Sequence, residues 1–250
     1  MKAMRMLAVW ACVGPLALAP VGLWAQTMAA DPASTAPKTA YYYDPTVLDL
    51  DNLVPNFPLD RSYEQVAELA ELHKIEAARQ PEDVAAAKAD DAEEDIFVFK
   101  PVFGVWLNPK ELPVLAQLDA HLRNDASVAA GPLKAQFARA RPYQTDATLH
   151  PVCGLTDQPN SYPSGHALNG YLEALTLAEM VPKKRTEIMA WANHYAHNRL
   201  VCGVHYPTDV EASRSVAYAL FGYMMATPKF RQDVAAAKME VLSHLPKTAR

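Results

Sequence analysis

Three short stretches of this chain bring together residue types that handle an anion and its protons. Lys134 and Arg141 stand seven residues apart, with Pro142 immediately after. Seven residues are two helical turns, so the spacing predicts both cations on one face of a helix that Pro142 terminates, able to point at a single anion. Pro163, Ser164, Gly165 and His166 then open the run HALNGYLEALTLAEM. A serine at a helix start with glycine behind it leaves backbone N–H groups unpaired at the positive end of the helix dipole, where an anion fits. In the third stretch Arg199 is followed by five residues, then His205, and Asp209 comes four positions later. Thr208 reads as the cap of a helix beginning near Asp209. That places the carboxylate to accept from one imidazole nitrogen and leave the other free as nucleophile or base. Taken singly, each stretch also has an ordinary explanation: a solvated basic face that Arg139 extends, an N-cap beside a surface histidine, and a capping aspartate near an unrelated histidine.

Together they supply three cations, two histidines, a carboxylate and a helix N-terminus. That set suits in-line phosphoryl transfer without a metal, a reaction that needs positioning and neutralisation of oxygen charge. In this order the residues resemble the three-part signature of the phosphatidic acid phosphatase type 2 superfamily. The settings YPSGH, ending at His166, and CGVH, ending at His205, are most similar to those of bacterial class A non-specific acid phosphatases. The resemblance spans roughly residues 95 to 245 and implies a single-domain, all-α helical bundle of the class A acid phosphatase and vanadium haloperoxidase type. It makes His205 the nucleophile of a phosphohistidine mechanism, Asp209 the group that holds its tautomer, and His166 the acid for the leaving oxygen and then the base for water. It puts Lys134, Arg141, Arg199, Ser164 and the Gly165 amide on the phosphoryl oxygens. It further implies small phosphomonoesters as substrates, no cofactor or metal, and a homodimer or higher homo-oligomer. One departure stands out: Asn198 occupies a position where the family usually carries serine, and its amide remains a possible accessory donor. Vanadium haloperoxidases resemble the same signature, so a vanadate enzyme is the alternative chemistry, and a non-catalytic periplasmic anion-binding protein the alternative class.

The elements that position these residues are expected to be helices. Half of the 250 residues are hydrophobic and a fifth charged, enough for one sizeable core, and there are only nine glycines. Formal net charge is −5, so no global positive field draws the protein to nucleic-acid polymers or anionic lipid. Residues 31–61, rich in Pro, Asp and Tyr, read as an extended arm, and 62–250 as one helical domain. Val66, Leu69, Leu72 and Ile75 predict a helix from Ser62 that Pro81 stops. The acidic run 82–95 reads as a solvated helix or loop, and 96–106 as a strand-like but isolated segment, better placed as a buried turn. Further helices are expected near 111–129, 131–140, 164–181, 185–201, 208–226 and 229–244.

Lys2 and Arg5 precede an uncharged apolar stretch from Met6 to Ala25. Residues 1–30 therefore read as a secretory signal cleaved near 25–30, rather than as a retained anchor. That implies a periplasmic or secreted protein with no membrane span after cleavage. Cys153 and Cys202 remain as a pair that forms either one disulfide or two buried thiols. His194 and His197 lack an evident third metal ligand; His73, His121, His150 and His244 read as surface or loop residues, with His150 a candidate for the cleft entrance. Unperturbed histidine titrates near ~6.5 and a phosphomonoester's second ionisation lies near ~6, which predicts a mildly acidic optimum. A pH–rate profile peaking above about pH 8 would contradict it.

Overall fold

A computed structural model describes residues 39–246, and these form helices joined by short loops, with no strand among them. The protein is all-α across the described residues. The expected leader, 1–30, lies outside them, as does 31–38. From 39 to 61 the chain has no helix and lays Tyr42, Tyr43, Leu50 and Val54 onto the main core. Asp125 fastens this segment, its carboxylate accepting from the Tyr41 amide at 2.6 Å and the Tyr42 amide at 2.7 Å.

Helix α1 spans Tyr63–Ala78, with the Ser62 hydroxyl accepting from the Gln65 amide. Its apolar spacing predicts the helix but not its buried face: Val66 is exposed, and Leu72 is buried beside Gln65 and Glu68. The inward face of α1 meets a guanidinium, described below. Helix α2, Pro81–Ala92, starts at the proline that ends the preceding pattern, because a first-turn proline needs no N–H. Residues 96–106 form no strand. Ile96–Phe99 make a buried 3-10 turn that leads into the four-residue helix α3, Lys100–Phe103.

Helix α4, Pro113–Phe137, corrects the expectation of two helices. Leu115, Leu118, Leu122, Ala126, Ala129, Ala130 and Leu133 hold one buried face straight through Pro132. Packing along it outweighs the roughly 3 kcal/mol that an interior proline costs. The helix also ends earlier than the spacing predicts. Ala138, at φ 42°, is left-handed and closes the last turn by donating its N–H to the Lys134 carbonyl. Lys134 and Arg141 therefore do not share a helical face; Arg141 lies beyond, as the N-cap of α5, Pro142–Thr145.

Helix α6, Gly165–Met180, is the centre of the bundle. It packs against α4 and against α7 (Arg185–Val201), α8 (Pro207–Ala226) and α9 (Pro228–His244). Leu168, Leu172, Leu175, Ala178 and Tyr171 are buried on all sides of it, the pattern of a helix that water does not reach. Gly170 is required there, since a Cβ would lie 2.6 Å from the Tyr195 ring of α7. Cys153 and Cys202 form a disulfide, tying the loop before α6 to the end of α7. The bridge spans 49 positions, and closing a loop of that length restricts the unfolded chain by about 4 kcal/mol in the chain-entropy model. The double variant Cys153→Ser/Cys202→Ser should lower unfolding stability by about 2–4 kcal/mol in a denaturant titration.

Candidate active site

His205 sits on the turn that joins α7 to α8, and Asp209 in the first turn of α8. The turn is possible because Gly203 adopts φ 73°, and a Cβ there would come within 3.3 Å of Pro151. The helix that follows starts at Pro207, not near Asp209, and Tyr206 rather than Thr208 is its N-cap. Asp209 is then the third helical residue and reaches back to the Tyr206 amide at 2.9 Å. Its Oδ2 also accepts from His205 Nδ1 at 3.2 Å and from the Ser161 hydroxyl at 2.5 Å. Its Oδ1 accepts from Arg139 Nη1 at 2.6 Å. Burial alone pushes the Asp209 carboxyl up, but the His205 bond, the Arg139 charge and the Ser161 hydroxyl reverse this and hold it at about 2. His205 is buried as well. Desolvation, helped by the Arg141 and Lys134 charges, drives its pKa well below the ordinary value against the pull of Asp209, so the ring is neutral.

The other ring nitrogen, His205 Nε2, is in hydrogen-bond contact with Arg141 Nη1 at 3.3 Å. Arg141 is braced by Nε donating to Asn160 Oδ1 at 3.0 Å and Nη1 donating to the Val204 carbonyl at 3.0 Å. Lys134 donates to the Asn160 carbonyl from the last turn of α4. Burial first, and then the charge of Arg141, lowers the Lys134 ammonium to about 8. Asn160 thus holds both cations toward one place, although they come from different elements. Lys134, Arg141, Asn160, Gly165, His166 and His205 all line one cleft of about 630 Å³. A Cβ at Gly165 would meet nothing within 4 Å, so the start of α6 is open on that side.

The acidic end of α2, and Glu94 just beyond it, are paired with other elements and are not simply a solvated face. Glu94 Oε1 lies 3.0 Å from His166 Nε2. Asp91 pairs with Arg199 Nη1 at 2.7 Å and accepts from the Gly154 amide at 3.0 Å. Asp90 accepts from Asn198 Nδ2 at 2.6 Å. The side chain of Asn198 is therefore committed to α2, and it is absent from the cleft lining, as are Ser164 and Arg199. Ser164 is a buried cap whose hydroxyl accepts from the Ala167 amide. Arg199 is buried, with Nε unpartnered. His150 pairs with Glu76 at 2.7 Å and does not line the cleft. Sequence reasoning missed Asn160, Glu94 and above all Arg139. Arg139 is no part of a solvated face: it is 3% exposed, bonds Glu68 and Asp209 at 2.6 Å each, and stacks 3.7 Å over the Tyr206 ring.

Removing the Arg139 charge would leave two buried carboxylates unpaired. Arg139→Gln should cost about 3–5 kcal/mol of stability in urea unfolding. The sign of its pH effect follows from Asp209. A carboxyl lowered from 3.8 to about 2 stabilises the fold above its unfolded value, and that contribution fades as pH falls toward 2. Without Arg139 the carboxyl rises, so acid unfolding monitored by circular dichroism should begin at a higher pH than in the wild type.

Part of the chain is similar to known proteins. The matching family model, described as the PAP2 superfamily, covers residues 125–233, from within α4 to within α9. A non-specific acid phosphatase of Salmonella typhimurium is 33% identical over 162 residues, 63% of this chain and 65% of the relative. The alignment thus spans just under two thirds of that relative's length. A non-specific acid phosphatase of Providencia stuartii is 29% identical over 71% of each chain. An acid phosphatase of Zymomonas mobilis is 31% identical over 55% of this chain and 53% of its own. Among solved structures, the crystal structure of the first transmembrane PAP2 type phosphatidylglycerolphosphate phosphatase from Bacillus subtilis aligns at 19% identity and a TM-score of 0.48. It covers 64% of this chain and 84% of that one. Lys134, Arg141, Ser164, Gly165, His166, Arg199, His205 and Asp209 all fall within the span that is similar to the PAP2 superfamily, a span of under half of the chain.

Proposed function

We propose that this protein is an exported acid phosphatase that hydrolyses phosphomonoesters through a phosphohistidine, without a metal. The observation that carries the reading is the His205–Asp209 pair on the same cleft as His166, Lys134 and Arg141. Asp209 holds Nδ1–H, which leaves the Nε2 lone pair of a neutral ring to attack phosphorus. The Nε2–P bond forms as the P–O bond to the alcohol breaks, and His166 gives its proton to the departing oxygen. Water then attacks phosphorus, His166 takes a proton from it, the Nε2–P bond breaks, and inorganic phosphate leaves. Asp209 stabilises the positive ring of the intermediate. Arg141, 3.3 Å from Nε2, is placed for an equatorial oxygen, and Lys134 shares that load. We assign to the same phosphoryl group the unpartnered Nε edge of Arg199, and to the start of α6 the Gly165 amide, with Ser164 as its cap.

The donor set favours a metal-free reaction, because the cleft is dominated by cationic side chains and Glu94 is the one carboxylate in its lining. The α4 wall offers Ala120, Ala130 and Gly131, leaving room for varied alcohols and supporting broad specificity. The disulfide suits an oxidising compartment. Among the described residues no helix is long and apolar enough to cross a membrane. The electrostatics also agree with an acidic optimum: His205 stays neutral in mild acid, and Lys134 keeps its charge only below about 8.

With a phosphorus-labelled phosphomonoester and EDTA present, quenching into alkali during turnover should leave label on the wild-type chain and none on His205→Ala. Turnover that stops in chelator, or label retained by the variant, would count against the mechanism. Peroxide-dependent halide oxidation in the presence of vanadate would favour the haloperoxidase alternative instead.

A further inference from the structure

We propose that Glu94 is a positioning residue for His166: it holds Nε2–H so that Nδ1 is the nitrogen that gives and takes the proton at the leaving oxygen. The proposal rests on the phosphatase reading above. His166 Nε2 faces two acceptors, Glu94 Oε1 at 3.0 Å and the Asp91 carbonyl at 3.3 Å. Neither oxygen can donate, so Nε2 must carry hydrogen whether the ring is charged or neutral. The proton that comes and goes is then on Nδ1. A second carboxylate oxygen, Asp91 Oδ1, lies 3.9 Å from Nε2 but is committed to Arg199. The ring plane is set by Tyr195, stacked at 6.4 Å between centroids and 29°.

The two histidines of the cleft are therefore held from opposite ends. Asp209 grips His205 by Nδ1 and frees Nε2, and Glu94 grips His166 by Nε2 and frees Nδ1. Their surroundings differ as their tasks do. Asp209 is fully buried, whereas the Glu94 side chain is 44% exposed at the cleft wall. Its carboxyl is held below the ordinary range, first by the hydrogen bond from His166, so it is ionised in mild acid. Glu94 is fixed by its neighbours: Glu93 pairs with Lys100 at 2.8 Å, and Asp95 caps the following 3-10 turn. A half-exposed ion pair contributes little to folding, so a change at Glu94 should act on the proton step and not on stability.

The test compares single-turnover phosphoenzyme formation from two esters: an alkyl phosphate, whose leaving oxygen needs a proton, and 2,4-dinitrophenyl phosphate, whose leaving group does not. In Glu94→Gln, formation from the alkyl ester should fall at least about tenfold and from the dinitrophenyl ester less than about twofold, with thermal unfolding unchanged. Glu94→Asp should restore part of the loss. Equal losses on both esters, or no loss on the alkyl ester, would overturn the proposal while leaving the phosphatase reading intact. A wild-type protein that formed no phosphoenzyme from either ester would overturn both.

Discussion

The buried guanidinium of Arg139 is the point on which the site's geometry depends. One side chain joins α1 through Glu68, the first turn of α8 through Asp209 and Thr208, and the aromatic face of Tyr206. Taking three charges out of water is expensive, and the arrangement is tolerable only because each carboxylate finds further donors. Glu68 accepts from the Thr208 amide and hydroxyl, and Asp209 from Ser161, Tyr206 and His205. The result is a dense network in which Arg139 Nε alone of the guanidinium nitrogens has no partner. His205 is therefore oriented by a carboxylate that is itself oriented from three directions.

Charge in the cleft is arranged to meet an anion. Lys134 and Arg141 are braced by a neutral partner, Asn160, and the Arg141 charge adds to the burial that lowers the Lys134 ammonium. Arg199 is different: Asp91 occupies one of its amino groups, which ties the cation to α2 and, through Gly154, to the disulfide loop. Neighbouring elements thus fix all three cations, and the two that line the cleft are braced by Asn160 and not by a carboxylate.

The candidate site residues were legible because their types and order are distinctive, and type is what chemistry selects. Their placement was less so. The seven-residue spacing of Lys134 and Arg141 suggests a shared helical face, yet Ala138 ends α4 between them, a left-handed turn that no glycine announces. Arg139 looked solvated because a charged residue normally is, and only the tertiary pairing with Glu68 and Asp209 makes it interior. For the same reason the buried face of α1 reads as apolar in sequence yet carries Gln65 and Glu68 beside Leu72, and the acidic tail of α2 reads as surface although its partners lie on α6 and α7. Pro132 split α4 in the sequence reading, since local propensity carries no information about the packed face beneath it.

The burial of α6 has a consequence for how such a site can diversify. His166 rides on a rod enclosed by four other helices, where even one added methyl at Gly170 collides with Tyr195. The α4 side of the cleft, carrying Arg123 and Ser127, borders solvent. Variation in shape is therefore accommodated on the α4 side of the cleft, while the side built on α6 is held rigid by its own packing.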